Sequence, residues 1–240
     1  MNKLVEYYDQ NGDVQSIEVD LHNDGLYFRP GTSDKEMIRD VRKDYSTLVF
    51  DDKVVMDCGA NIGAFTVRAL DEGAQRVVAY EPEKSNFEMV KLNVVDLNEY
   101  DNFELVNAAV SNSFFPELSF YINKSQKAMC SGALNPRVKS KRVQLTVDNL
   151  NFWDELERVQ PSLVKMDIEG GEHEIFEGNF EIPDYVKEIA IEIHQAAKME
   201  ALYDRLLEEF PKVIQKEYIV VFGQKAMIVA HLAREGYDVC

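Results

Sequence analysis

One stretch of ten residues, VVMDCGANIG at 54–63, constrains this chain more than any other. Val54, Val55 and Met56 are apolar without alternation, the pattern of a strand buried on both faces of a parallel sheet. The run ends at Asp57 and breaks into a turn carrying Gly59, Asn61 and Gly63. A stripe of Ile62, Phe65, Ala69 and Leu70 follows, closed by Asp71-Glu72-Gly73. The spacing predicts a strand, a ligand-binding turn, and a helix beginning near Asn61 or Ile62. Glycines at such a turn permit unusual backbone angles and let a ligand approach the main chain. Asp57 is expected to hold a polar group at the strand tip.

The spacing also selects among ligands. A dinucleotide fingerprint, G-x-G-x-x-G, fails because Asn61 and Ala64 stand where the second and third glycines belong. A phosphate loop fails because no lysine lies between Lys53 and Lys84. What remains is D-x-G-x-N-x-G followed by a second apolar strand, Val77 to Tyr80, with Glu81 at its tip. Glu81 lies 22 positions beyond Gly59, where an acidic side chain can accept hydrogen bonds from both hydroxyls of a ribose.

With YFRPGTSD, VVAYEPEKSNFEMVKLN, ELVNAAVSN, LVKMDIEGGE and IAIEIH added in the same order, the chain resembles the FkbM-type family of class I S-adenosylmethionine-dependent methyltransferases. Gly171, where the family more often has alanine, is a small departure. The resemblance implies an α/β fold: a Rossmann-like seven-stranded sheet, mostly parallel, with a C-terminal antiparallel hairpin and helices on both faces. It implies S-adenosylmethionine as cofactor, with Asp57, Gly59, Asn61, Gly63, Glu81, Asn107, Ala108 and Asp167 around it. Asn107 and Ala108 would lie beside the adenine, Asn107 reading its edge or merely starting a turn. Asp167 would face the sulfonium. The implied reaction is O-methylation of a sugar or small natural product.

Composition sets limits. A chain of 240 residues, 45% hydrophobic, can bury one sizeable core, so a single domain over 1–240 is expected. A formal charge of −17 argues against a broad nucleic-acid surface. The start lacks an apolar signal core and no run is long enough to cross a bilayer. Cys58, Cys130 and Cys240 have neither metal-ligand nor disulfide spacing, so a reducing, cytoplasmic location is expected. Cys58 reads as a small buried side chain.

Along the chain, residues 1–45 read as a hairpin, with the turn His22-Asn23-Asp24-Gly25, and a helix covering the cofactor side. Ser33 or Asp34 would cap that helix. A second helix is expected over Glu83–Leu97 and a third strand over Phe103–Val106. From Asn123 to Arg142 stand six basic residues (Lys124, Lys127, Arg137, Lys139, Lys141, Arg142) and no acid. Their flanks alternate like strands, so 113–146 reads as an inserted basic hairpin. It is either a flap favouring a phosphate-bearing acceptor or a lysine-protected sheet edge. A helix is expected from Asp148 to Glu157, with Trp153 in the core.

The chemistry is expected at two strand ends. Lys165, Asp167 and Glu169 alternate onto one face, and such charges are costly to bury without partners or a task. Lys165 and Asp167 could simply pair. Glu192 and His194 share a face of the next strand. Asp167 or His194 is expected as general base, with Lys165 and Glu169 orienting, and His173 is read as surface. These carboxylates and His194 could alternatively hold a divalent ion. N-methylation, nucleic-acid methylation and a non-catalytic cofactor-binding protein remain as other readings. The apolar runs Tyr218–Phe222 and Ala226–Ala230 predict a closing antiparallel hairpin.

Overall fold

The structure is a computed structural model, and it describes residues 3–8, 13–94, 100–123, 132–133, 142–221 and 223–239. In chain order the elements begin with strands β1 (Leu4–Tyr8), β2 (Val14–Glu18), β3 (Asp20–Leu21) and β4 (Tyr27–Phe28), then helix α1 (Asp34–Asp44). Next come β5 (Val54–Cys58), α2 (Ala64–Asp71), β6 (Arg76–Tyr80), α3 (Lys84–Val94), β7 (Phe103–Val106) and β8 (Ala109–Ser111). There follow β9 (Glu117–Asn123), β10 (Gly132–Ala133), β11 (Arg142–Asn151), α4 (Phe152–Val159), β12 (Leu163–Met166) and α5 (Glu172–Ile175). The last are β13 (Glu188–Ile193), α6 (Met199–Glu209), β14 (Lys212–Val221) and β15 (Gln224–Ala233).

Seven strands form the main sheet in the order β14-β15-β13-β12-β5-β6-β7. The pairs from β13 through β7 are parallel, whereas β15 is antiparallel to both β13 and β14. β5 sits where the strand order reverses, between β12 and β6, which opens a crevice at its carboxyl end. Period-two alternation divides the sheet between two cores. Val55, Val77, Ala79, Leu163 and Ala190 face α1, α2 and α3. Met56, Val78, Tyr80, Val164, Met166 and Ile191 face α4, α5 and α6. The seven-stranded, doubly covered sheet and its antiparallel ending match the sequence expectation, and the hairpin is longer than the apolar runs suggested.

Three local expectations are corrected. The helix after the glycine turn starts at Ala64, because Asn61 and Gly63 both take positive φ, 55° and 86°. The stretch from Asp148 is still strand: β11 runs to Asn151, and its residues 149–151 pair in parallel with β8. The Asn151 side chain then caps α4, accepting hydrogen bonds from the Trp153 and Asp154 amides. Finally, Ser33 caps α1 by position only, with no side-chain bond. Asp34 instead receives the Arg29 amide at 2.8 Å and its guanidinium at 2.9 Å. Arg29 also donates to Ser85 and Asn86 at the start of α3.

The inserted segment belongs to a second sheet, β10-β9-β11-β8. Lys124, Lys127, Arg137, Lys139 and Lys141, and the side chain of Arg142, lie outside the described residues. The end of the second expected helix, to Leu97, also lies outside them. Among the described residues, no helix is long and apolar enough to cross a membrane.

Candidate active site

The glycine turn is fixed by its neighbours on both sides. The amides of Gly59 and Ala60 each donate to the Tyr80 carbonyl at 3.0 Å, so the turn folds over the end of β6. A Cβ on Gly59 would fall 2.0 Å from the Asp167 carbonyl oxygen. Gly59 therefore exists for the close approach of β12 as much as for a ligand. Gly63 serves helix packing, since a Cβ there would lie 3.2 Å from Val90 on α3.

Asp57 is fully buried on the α2 side of the sheet. It accepts the Thr66 hydroxyl at 2.6 Å and lies 3.1 Å from the Lys165 ammonium. The parallel register sets Lys165 directly opposite Asp57, and its Nζ donates to the Gly59 carbonyl at 2.7 Å. Lys165 thus pairs across strands with Asp57 and braces the turn. The alternative in which Lys165 simply pairs with Asp167 gives way to this pair. Burial draws the Lys165 pKa down, but the charges of Asp57, Asp167 and Glu192 outweigh it and hold the ammonium above its ordinary range.

Glu81 stands at the tip of β6 with one oxygen accepting the Asn61 amide at 2.8 Å and the other the Glu83 amide at 2.9 Å. Burial pushes its carboxyl up to about 8, against the pull of these bonds. Gly59, Asn61, Glu81, Ala108 and Asp167 line a cleft of about 730 Å³, counting its open mouth. Ser33 just before α1, Met37 of α1, Val110 of β8 and Phe120 of β9 are also among its walls. A ribose on Glu81, with a flat ring between Ala108, Val110 and Phe120, fits this arrangement. Phe120 escaped the sequence reading because an alternating strand does not reveal which sheet its faces meet.

Asp57, Gly63 and Asn107 do not line the cleft. Asn107 donates its side-chain amide to the Glu81 carbonyl at 2.8 Å, so it ties β7 to β6 and is not positioned to read a base edge. Cys58 is fully buried, and its thiol is held above the usual range by burial, as a structural cysteine should be.

A second cavity of about 1030 Å³ adjoins the first and shares Met37, Gly59, Asn61, Asp167 and Glu169 with it. Asp44 at the end of α1 and Tyr45 just after it, Glu192 and His194 at the end of β13, and Ile219 and Met227 of the closing hairpin also line it. Tyr45 donates its hydroxyl to Glu192 at 2.9 Å, and burial pushes the Glu192 carboxyl up to about 8, helped by the charge of Asp167.

His194 Nδ1 lies 3.1 Å from Glu172 Oε1, and Nε2 lies 3.9 Å from both Asp167 Oδ1 and Glu169 Oε2. Burial alone would lower its pKa, but Glu172, Asp167 and Glu169 push it up to about 10. The imidazole is therefore held as a cation near neutral pH, contrary to what a general base requires. Sequence reasoning overlooked Glu172, which is fully buried on the four-residue α5. The paired glycines before it, which let α5 fold back under β13, were the available signal. His173, read as surface, is half-buried and bonds the His194 carbonyl at 2.7 Å. Glu169 and Gln195 flank the cluster with φ of 56° and 63°, the kind of backbone strain that gathers at working sites.

The sequence profile described as Methyltransferase FkbM domain matches residues 57–222, which take in the end of β5, β6, β12 and the strand-end residues Asp167, Glu172 and His194. The chain belongs to the FkbM methyltransferase family. It is accordingly an S-adenosylmethionine-dependent methyltransferase. Comparison with curated proteins finds no match. Among solved structures, P. horikoshii TYW2 in complex with MeSAdo is similar at 15% identity and a TM-score of 0.50, over 94% of this chain and 76% of that chain. The M. jannaschii tRNA m1G37 methyltransferase is similar at 15% identity, with a TM-score of 0.47, over 98% and 58% of the two chains. Ribosomal protein L11 methylase from Lactobacillus delbrueckii subsp. bulgaricus follows at 13% identity and 0.48, over 88% and 82%. At these identities the likeness is one of fold.

Proposed function

We propose that this FkbM-family protein methylates a hydroxyl of a sugar or small natural product, and that the acceptor is neutral or amine-bearing. The single observation that carries the reading is the pair of adjoining cavities that meet at Asp167 and Glu169. One has the ribose carboxylate and apolar walls suited to the cofactor; the other is rimmed with hydrogen-bond acceptors. When bound, the cofactor supplies an electrophilic methyl group on a sulfonium. The chain supplies alignment, exclusion of water and a proton acceptor.

Glu81 and the Asn61 amide orient the nucleoside end, and Lys165 keeps the Gly59 turn fixed against β12. Asp167 lines both cavities and is placed to take the acceptor's proton. His194 lines the second cavity only; as a cation it steadies negative charge growing on the acceptor oxygen. The sequence reading of a phosphate-bearing acceptor rested on the basic segment outside the described residues. The described cavity instead presents Asp40, Asp44, Asp167, Glu169 and Glu192, while Lys165 is committed to Asp57. That excess of carboxylates repels a phosphate and suits hydroxyls, which donate to them.

The test is transfer of a labelled methyl group to a panel of neutral sugars, amino sugars, sugar phosphates, simple amines and tRNA. Transfer to oxygen of a neutral or amino sugar, lost in Asp167→Asn, is the expected result. Transfer only to nitrogen, only to phosphorylated compounds or only to RNA would overturn the proposal.

A further inference from the structure

Beneath the meeting point of the two cavities lies a donor set that the methyl-transfer reading leaves partly unused. Asp167, Glu172 and His194 each bring one ligand atom to within 4.8 Å of the other two. A second observation concerns Glu172 itself, which is 0% exposed. Its Oε1 is engaged, accepting the Ile168 amide at 3.1 Å and facing His194 Nδ1. Among the described residues its buried Oε2 has no hydrogen-bond partner, and Asp167 Oδ1 is in the same condition. Two donorless carboxylate oxygens in one small cluster are unusual, because buried acceptors are nearly always satisfied by a donor or an ion.

From this we propose that Asp167, Glu172 and His194 form a divalent-cation site beneath the point where the two cavities meet. Two carboxylates and one imidazole are hard to borderline donors, which suits Mn²⁺ or Mg²⁺ and disfavours the soft metals that seek thiolates. Glu169, with Oε2 3.9 Å from His194 Nε2, stands where it can add a further oxygen. Glu169 and Gln195, next to the cluster in the chain, both take positive φ. His173, bonded to the His194 carbonyl, fixes the strand end that carries the ligand. Lys165 is bonded to Asp57 and the Gly59 carbonyl, and only its charge, without a bond, reaches Asp167.

Binding of the ion stands apart from the acceptor reading. Its use rests on that reading, with the ion displacing the His194 proton and taking over its positive charge: the ion would hold the acceptor hydroxyl's oxygen, while the other oxygen of Asp167 stays available for the proton.

The experiment is titration of the whole protein with Mn²⁺, followed by loss of the free-ion electron paramagnetic resonance signal. It is run on wild type, Glu172→Gln and His194→Gln, with S-adenosylhomocysteine binding measured on the same samples to show that each is folded. Neither residue lines the adenosine cleft. The expected result is saturable binding of one Mn²⁺ per chain, displaced by Mg²⁺, and weakened about 10- to 100-fold in each variant that still binds the nucleoside. Absence of saturable binding in wild type that binds S-adenosylhomocysteine would overturn the cation site and leave the methyltransferase reading intact. Equal Mn²⁺ affinity in wild type and both folded variants would also overturn it. Should one variant fail to bind the nucleoside, the other decides.

Discussion

Glu81 offers the sharpest test of the cofactor cleft, because its environment and its task pull in opposite directions. Burial holds its carboxyl at about 8 in the empty protein, against 4.5 as its ordinary value. A ribose that donates two hydroxyl protons needs the carboxylate, so binding must expel the proton that burial retains. With a pKa near 8, the ionised fraction rises from about 1% at pH 6 to about half at pH 8. Nucleoside affinity should therefore rise about 50-fold over that interval, or roughly 2.3 kcal/mol. The same shift has a consequence for stability. A carboxyl whose folded pKa is raised contributes stability present below pH 4.5 and lost as the pH climbs through 8. The assay is calorimetric titration with S-adenosylhomocysteine at pH 6, 7 and 8, in buffers of different ionisation enthalpy. Proton release on binding is expected at pH 6 and 7. Glu192, also held at about 8, borders the neighbouring cavity, so Glu81→Gln serves as the control that separates them. That variant should bind weakly, with little change across the range. A flat wild-type affinity from pH 6 to 8 without proton release would refute the argument.

Other substitutions probe the frame of the site. Gly59→Ala places a methyl 2.0 Å from the Asp167 carbonyl at a φ of 84°; a loss of about 2–4 kcal/mol is expected from strain and overpacking together, read by denaturant unfolding. Lys165→Met leaves Asp57 buried without its cation and should cost about 3–5 kcal/mol, much of it recovered in the double variant with Asp57→Asn, as a double-mutant cycle would measure. Tyr45→Phe removes the hydroxyl that donates to Glu192; nucleoside affinity should be unchanged while the acceptor KM rises about 3- to 10-fold, in keeping with one lost hydrogen bond of roughly 1 kcal/mol.

Much of this architecture was legible in the residue order, for reasons that differ from place to place. The unbroken apolar runs Val54–Met56 and Val77–Tyr80 exposed a parallel sheet because both faces of such strands are covered. Glu81 was legible because a strand tip, a glycine turn and a fixed interval leave its carboxylate one direction to face. The sequence offers Asp167 as one partner for Lys165 because it shows neighbours along a strand and hides those across it; the register with Asp57 settles the partner. Asn107 was given an adenine to read because its type suited the task, yet the nearest acceptor in space is the Glu81 carbonyl. The start of α4 lies four residues later than expected because Leu150, Trp153 and Leu156 carry helical spacing back across the strand end, and pairing with β8 decided in favour of strand. Glu172 could not be distinguished from the other acids of its segment without knowing that α5 turns it inward.

The Arg29–Asp34 pair, anchored on Ser85 and Asn86, bears on what counts as a folding unit. The region that defines the family begins at residue 57, yet two walls of the cofactor cleft, Ser33 and Met37, come before it. At the other end it stops at residue 222, short of β15, the strand lying between β13 and β14. A protein trimmed to the family region would thus lose a sheet strand from between its neighbours and a clamp from the head of α3. Shuffling of this catalytic region between proteins must therefore carry both flanks with it, since the signature that identifies the enzyme is smaller than the piece of chain that can stand alone.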